Sequence, residues 1–132
     1  WEAPGYGFQL QYGATTLTEQ WDPRQGSSWN HFMMGQIDEW LFRSLLGIQP
    51  DPNGRGYQQV TIAPNPVGDL RWAKGSIITL YGELKVAWER DASECFTLRI
   101  TIPANCRASI LLPGEEKPQE VQAGEYTFTN NC

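Results

Sequence analysis

Glu83-Leu84-Lys85-Val86-Ala87-Trp88-Glu89 and, a short turn later, Phe96-Thr97-Leu98-Arg99-Ile100-Thr101-Ile102 are the stretches on which the reading of the fold depends. In both, apolar side chains take every second place: Leu84, Val86 and Trp88, then Phe96, Leu98, Ile100 and Ile102. Successive side chains of a strand point to opposite faces, so a period of two marks strands with one face buried and one wet. Outward from this pair, strands are predicted at Gln58 to Ala63, Leu70 to Leu80, Ala108 to Leu112 and Tyr126 to Thr129. Turn formers separate them at Asn65-Pro66, Tyr81-Gly82, Asp91-Ala92-Ser93, Pro103-Ala104-Asn105 and Pro113-Gly114. Short alternating strands at this spacing predict an antiparallel β-sandwich.

Upstream of Gln49-Pro50-Asp51-Pro52-Asn53-Gly54-Arg55-Gly56, a stretch dense in turn formers, the pattern changes. Met33, Ile37, Trp40, Leu41, Ser44 and Leu45 recur at helical spacing, with Met34, Phe42 and Leu46 beside them. They predict one helix from near Asn30 to Gly47, capped by Ser28 or Asn30 and ended by Gly47 in the left-handed C′ position. A shorter helix is predicted from about Gly5 to Tyr12, broken by Gly13. A helix apolar on two sides needs neighbours on both, which favours a piece of a larger helical assembly. The class is therefore α+β, a helical part over residues 1–50 and a strand part over 51–132.

Composition narrows the function. The 132 residues are 40% hydrophobic and 19% charged, a globular balance, and no apolar run approaches the roughly 20 residues that span a bilayer. A net charge of −5, with Lys and Arg scattered singly, argues against a nucleic-acid partner, and no membrane partner is expected. Six Trp are many for this length; they can fill a core or offer indole faces to sugar rings. Cys95, Cys106 and Cys132 form no CxxC pair and the single His is remote from them in sequence, which argues against zinc, and no cofactor is expected. The odd number leaves at least one thiol unpaired within the chain. No basic leader followed by an apolar run is visible, and the compartment stays open between periplasm, exterior and cytoplasm.

Three strings stand out. The first, Gly13-Ala14-Thr15-Thr16-Leu17-Thr18-Glu19-Gln20-Trp21-Asp22, is similar to a GATT-x-x-E-x-W-D signature. The second is Ser28-Trp29-Asn30-His31-Phe32 through Gly35, Asp38-Glu39-Trp40-Leu41-Phe42-Arg43 and Leu46-Gly47-Ile48-Gln49-Pro50-Asp51. The third is Val60-Thr61-Ile62-Ala63-Pro64-Asn65-Pro66 with Leu70-Arg71-Trp72-Ala73-Lys74-Gly75-Ser76. In this order they resemble the bacterial α-L-rhamnosidases: a signature of that family, its next block and its entry into the C-terminal sandwich. The resemblance implies the terminal helices of an (α/α)6 barrel followed by a C-terminal antiparallel β-sandwich. It also implies a bacterial glycosidase that removes L-rhamnose from glycosides or polysaccharides with inversion. The segment from Asp22 to Trp29 is shorter than in many relatives.

An inverting glycosidase needs two carboxyl groups, one to protonate the leaving oxygen and one to deprotonate a water on the opposite face, roughly 6.5–9.5 Å apart. By resemblance Glu19 is the general base, and the acidic cluster that supplies the general acid lies upstream, outside these residues. His31 matches a histidine that contacts the bound rhamnose. Trp21 either walls the pocket or packs in the interior, and Asp22 is a second carboxylate or a cap, with the cap favoured. Asp38 and Glu39 are neighbours on a helix, pointing about 100° apart, and cannot face one substrate. The alternative is a non-catalytic β-sandwich, carbohydrate-binding or structural, with a helical leader. Residues 13–48 speak against it, since such a module has no use for a two-faced apolar helix. The isolated chain is expected to be inactive and to self-associate through that helix.

Overall fold

The computed structural model describes residues 2–25 and 28–130. The chain divides into two compact units, Trp1–Glu39 and Trp40–Cys132. The first holds a short helix, α1 (Tyr6–Gln11), then loops and, before its end, a 3₁₀ stretch. Gly13 ends that helix with φ 77°: its N–H donates to Leu10 O (3.0 Å) and Ala14 N–H to Gln9 O (3.1 Å). These are the crossed bonds of a Schellman closure, which needs a left-handed residue at that place.

The long helix predicted from Asn30 is a succession of three forms. A 3₁₀ stretch runs over Phe32–Gln36, an α stretch, α2, over Ile37–Trp40, and a π stretch over Leu41–Leu45. It starts later than expected, and neither Ser28 nor Asn30 caps it. His31 stands at the cap position in extended conformation, without a side-chain cap bond. The cause is competition for the backbone. His31 N–H donates to Leu17 O (2.8 Å) and Glu19 N–H to Ser28 O (3.0 Å), so residues 28–31 are tied to 17–19 by two backbone bonds. At the far end Leu46 N–H reaches back to Leu41 O (3.0 Å), the wider π spacing. Leu45 and Leu46 are both buried there, and the indole N–H of Trp88 donates to Leu45 O (2.9 Å), satisfying a helix-end carbonyl in the interior. Gly47, φ 76°, then reverses the chain as the C′ reading requires.

The second unit is a pair of four-stranded sheets. Eight strands follow in order: β1 (Ile48–Pro50), β2 (Gln59–Ile62), β3 (Trp72–Thr79), β4 (Gly82–Arg90), β5 (Phe96–Ile102), β6 (Arg107–Ile110), β7 (Gln119–Val121) and β8 (Gly124–Asn130). One sheet runs β1-β2-β6-β7 and the other β3-β4-β5-β8. The alternation seen in the sequence is the burial pattern: Leu84, Val86 and Trp88 on β4 face inward with Phe96, Leu98, Ile100 and Ile102 on β5. They join Ile48, Val60, Ile62, Ala108 and Ile110 of the other sheet in one apolar core. Pairing is antiparallel apart from β2 with β6, which run parallel, Val60 opposite Ala108. The reason is topological. The chain leaves after β2 to lay down β3, β4 and β5 in the second sheet and returns as β6, and such a crossover is what a parallel pair needs. Of the described Trp residues only Trp88 is in the core; Trp29 and Trp72 are 68% and 63% exposed.

Candidate functional site

The GATT-x-x-E segment is held by α1. The side-chain amide of Gln9, 2% exposed, lies beneath the loop. Its Nε2 donates to Thr18 O and to Gln20 O, both at 3.1 Å, and its Oε1 accepts Thr18 N–H at 3.4 Å. Thr18, also buried, adds a bond from Oγ1 to Gln20 O (2.7 Å). The hydroxyl of Thr16 donates to Trp29 O. Glu19 thus sits between two anchored residues, its own N–H bound to Ser28 O, with its side chain on the exposed surface. The two backbone bonds between 17–19 and 28–31 hold the segment of His31 beside the one that carries Glu19. His31 is partly buried, its backbone N–H on Leu17 and its carbonyl on Met34 N–H (3.0 Å).

Trp21 is half-buried, its ring edge-on to Tyr6 with centroids 5.3 Å apart, and Tyr6 in turn donates its hydroxyl to Met34 O (2.8 Å). Asp22 caps a turn, not a helix. Its carboxylate accepts Arg24 N–H (3.0 Å), Nε (2.8 Å) and Nη2 (2.8 Å), and Gln25 Nε2 (3.1 Å). The Arg24 side-chain hydrogen bond, foremost, holds this carboxyl down at about 2. So weak a base, already paired, is a poor acceptor for a water proton. The Arg24 guanidinium lies 3.9 Å above the Tyr12 ring. A cavity of about 300 Å³ opens nearby, lined by Tyr12, Thr15, Thr16, Arg24 and Trp29 among others; neither Glu19 nor His31 lines it. Asp38 and Glu39 are exposed on α2.

Among the described residues, no three His, Cys, Asp or Glu side chains group to hold a metal ion. No helix among the described residues is long and apolar enough to cross a membrane. Cys95 is disulfide-bonded, which the sequence left open, and Cys106 is a free, buried thiol whose titration burial raises. Sequence reasoning passed over Gln9. A Gln between Phe8 and Leu10 reads as the wet side of a short helix.

The family described as the bacterial alpha-L-rhamnosidase C-terminal domain matches residues 47–127, and its 6 hairpin glycosidase domain matches residues 1–45. The chain belongs to the bacterial α-L-rhamnosidase family. An α-L-rhamnosidase of Streptomyces avermitilis is 33% identical across 95% of the chain, and one of Formosa agariphila 31% across 96%. The chain spans only 13% and 14% of those relatives' length. Among solved structures, the Aspergillus terreus α-L-rhamnosidase superposes with TM-score 0.86 at 30% identity, covering 99% of this chain and 16% of its own. The S. avermitilis enzyme complexed with L-rhamnose gives 0.80 at 28%, covering 97% of this chain and 15% of its own.

Proposed function

We propose that this chain is the C-terminal part of an α-L-rhamnosidase: the residues up to Leu45 end its (α/α)6 barrel, those from Ile48 onward, where β1 begins, are its C-terminal sandwich, and Glu19 is its general base. The observation that carries the reading is the presentation of Glu19. It is a surface carboxylate on a backbone fixed on both sides, inside the string that resembles the family's signature. A base that must meet a water at a set distance from the anomeric carbon needs such a mount. In the reaction the water oxygen bonds to the anomeric carbon from the face opposite the leaving group. The glycosidic C–O bond breaks, Glu19 takes one proton from the water, and a general acid outside this chain gives one to the leaving oxygen. The products are β-L-rhamnose and the free alcohol. His31, on the neighbouring segment, hydrogen-bonds a sugar hydroxyl, and Trp21 walls the pocket from its seat on Tyr6.

The test is Glu19→Gln in the full enzyme. The amide keeps the shape but accepts no proton, so kcat falls by about 10²–10⁴ while rhamnose still binds. Azide, which needs no base, restores cleavage and yields the β-glycosyl azide. A variant that keeps more than about a tenth of wild-type kcat removes Glu19 from the role.

A second reading, carbohydrate binding by the sandwich, has its own observation: a hollow of about 700 Å³ on the β3-β4-β5-β8 sheet, lined by Lys74, Ser76, Lys85, Arg99, Thr101 and Thr127 among others. Retention of a rhamnose-containing polysaccharide by the 132-residue chain, lost on Lys74→Ala with Arg99→Ala, would favour it.

A further inference from the structure

We infer that Gln9 is the positioning residue for Glu19, an inference that rests on the general-base reading above. Its amide is buried, and its three hydrogen bonds all go to the backbone on either side of that one residue. Both amide hydrogens are used, on Thr18 O and Gln20 O, and the amide oxygen closes on Thr18 N–H. The same residue's main-chain carbonyl accepts Ala14 N–H (3.1 Å) and Tyr12 N–H (3.3 Å). Gln9 therefore ties the loop at both ends: at Ala14, where it leaves α1, and at Thr18 to Gln20, where it presents the carboxylate.

No other side chain type fits this task well. The site asks for two donors and one acceptor in a flat group at the end of a two-methylene stem. Glu offers oxygens to two carbonyls, Met offers no donor, and either leaves Thr18 O and Gln20 O unmatched in a buried place. The loop then relaxes by whatever shift lets those carbonyls find water, and Glu19 moves with it. A misplacement of about 1 Å in a catalytic group costs on the order of 10²-fold in rate. The side chain of Gln9 is occupied by backbone, so its effect passes through Glu19 and not through the sugar.

The test uses the full enzyme and two backgrounds. In the wild type, Gln9→Met lowers kcat by about 10–100-fold with KM changed less than about threefold. In the Glu19→Gln background, adding Gln9→Met leaves the azide-supported rate unchanged, because azide attacks without a base. Should Gln9→Met not fold, Gln9→Glu is carried through the same two measurements. An unchanged kcat in the folded variant overturns the inference. So does an azide-supported rate that falls in parallel, since Gln9 would then be holding the pocket at large. Loss of activity in Glu19→Gln with no effect at Gln9 sinks this inference alone; full activity in Glu19→Gln sinks the general-base reading first.

Discussion

Gly47→Ala should be among the most damaging single changes in the strand unit, for two separable reasons. With φ 76°, Gly47 lies where an L side chain costs about 1–2 kcal/mol. A Cβ there would also stand 2.2 Å from Ala63 C, 2.3 Å from Ala63 O and 2.3 Å from Pro64 N. These are backbone atoms and cannot rotate away, so the chain beside β2 must move; overpacking of this kind costs about 1–3 kcal/mol. The move endangers the bond from Ala63 N–H to Gly47 O (3.0 Å), about 0.5–1.5 kcal/mol more. The total of about 2.5–6.5 kcal/mol is a large share of the roughly 5–15 kcal/mol by which a domain is stable. Gly114→Ala is the control: φ is 82°, with nothing within 4 Å of the added carbon. Urea unfolding of both variants, followed by tryptophan fluorescence, separates conformational strain from collision. Equal losses in the two would refute the close-approach argument, and a Gly47→Ala variant within about 1 kcal/mol of wild type would refute both halves.

The 132-residue chain should release no p-nitrophenol from its α-L-rhamnoside, since only one of two acting carboxyls is proposed to lie in it; turnover near that of an intact relative would overturn that reading. Asp22 should titrate at about 2 by carboxyl NMR and return toward 3.8 in Arg24→Ala. Its folded value is depressed, so its contribution to stability is present above the ordinary value and lost as pH falls through about 2; a wild-type midpoint near 3.8 would contradict the pairing. Phe32, Met33, Trp40 and Leu41 remain 87%, 57%, 40% and 36% exposed, so the isolated chain should self-associate at micromolar concentration, and a clean 14.9 kDa monomer in sedimentation would refute it.

Legibility followed the range of the forces. The alternation in β4 and β5 shows in the sequence because burial on one face is written residue by residue. β1 and β7 do not show. β1 is three residues within a Pro- and Asp-rich turn region, and β7 lies among Glu115, Glu116, Lys117 and Glu120, where no alternation survives. The parallel partnership of β2 and β6 has no local signature at all, since either strand would read the same with another neighbour. At the candidate site, the GATT string pointed to Glu19 and the Ser28-Trp29-Asn30-His31 string to His31, whereas Gln9 gained its place only through contacts with residues nine and eleven positions on. The late start of the long helix was hidden for a like reason: Asn30 and His31 have good helical context, and the bond from His31 N–H to Leu17 O overrules it.

That parallel pair also sets a schedule for synthesis. β2 has β1 on one side, while its other edge, flanked by Val60 and Ile62, has no native partner until Arg107–Ile110 has left the ribosome. Throughout the intervening translation, the nascent chain carries an open apolar strand edge, a template for pairing with any neighbouring chain. A premature stop between β5 and β6 would make that exposure permanent, so truncated products should be cleared or aggregate even though the β3-β4-β5 meander is complete.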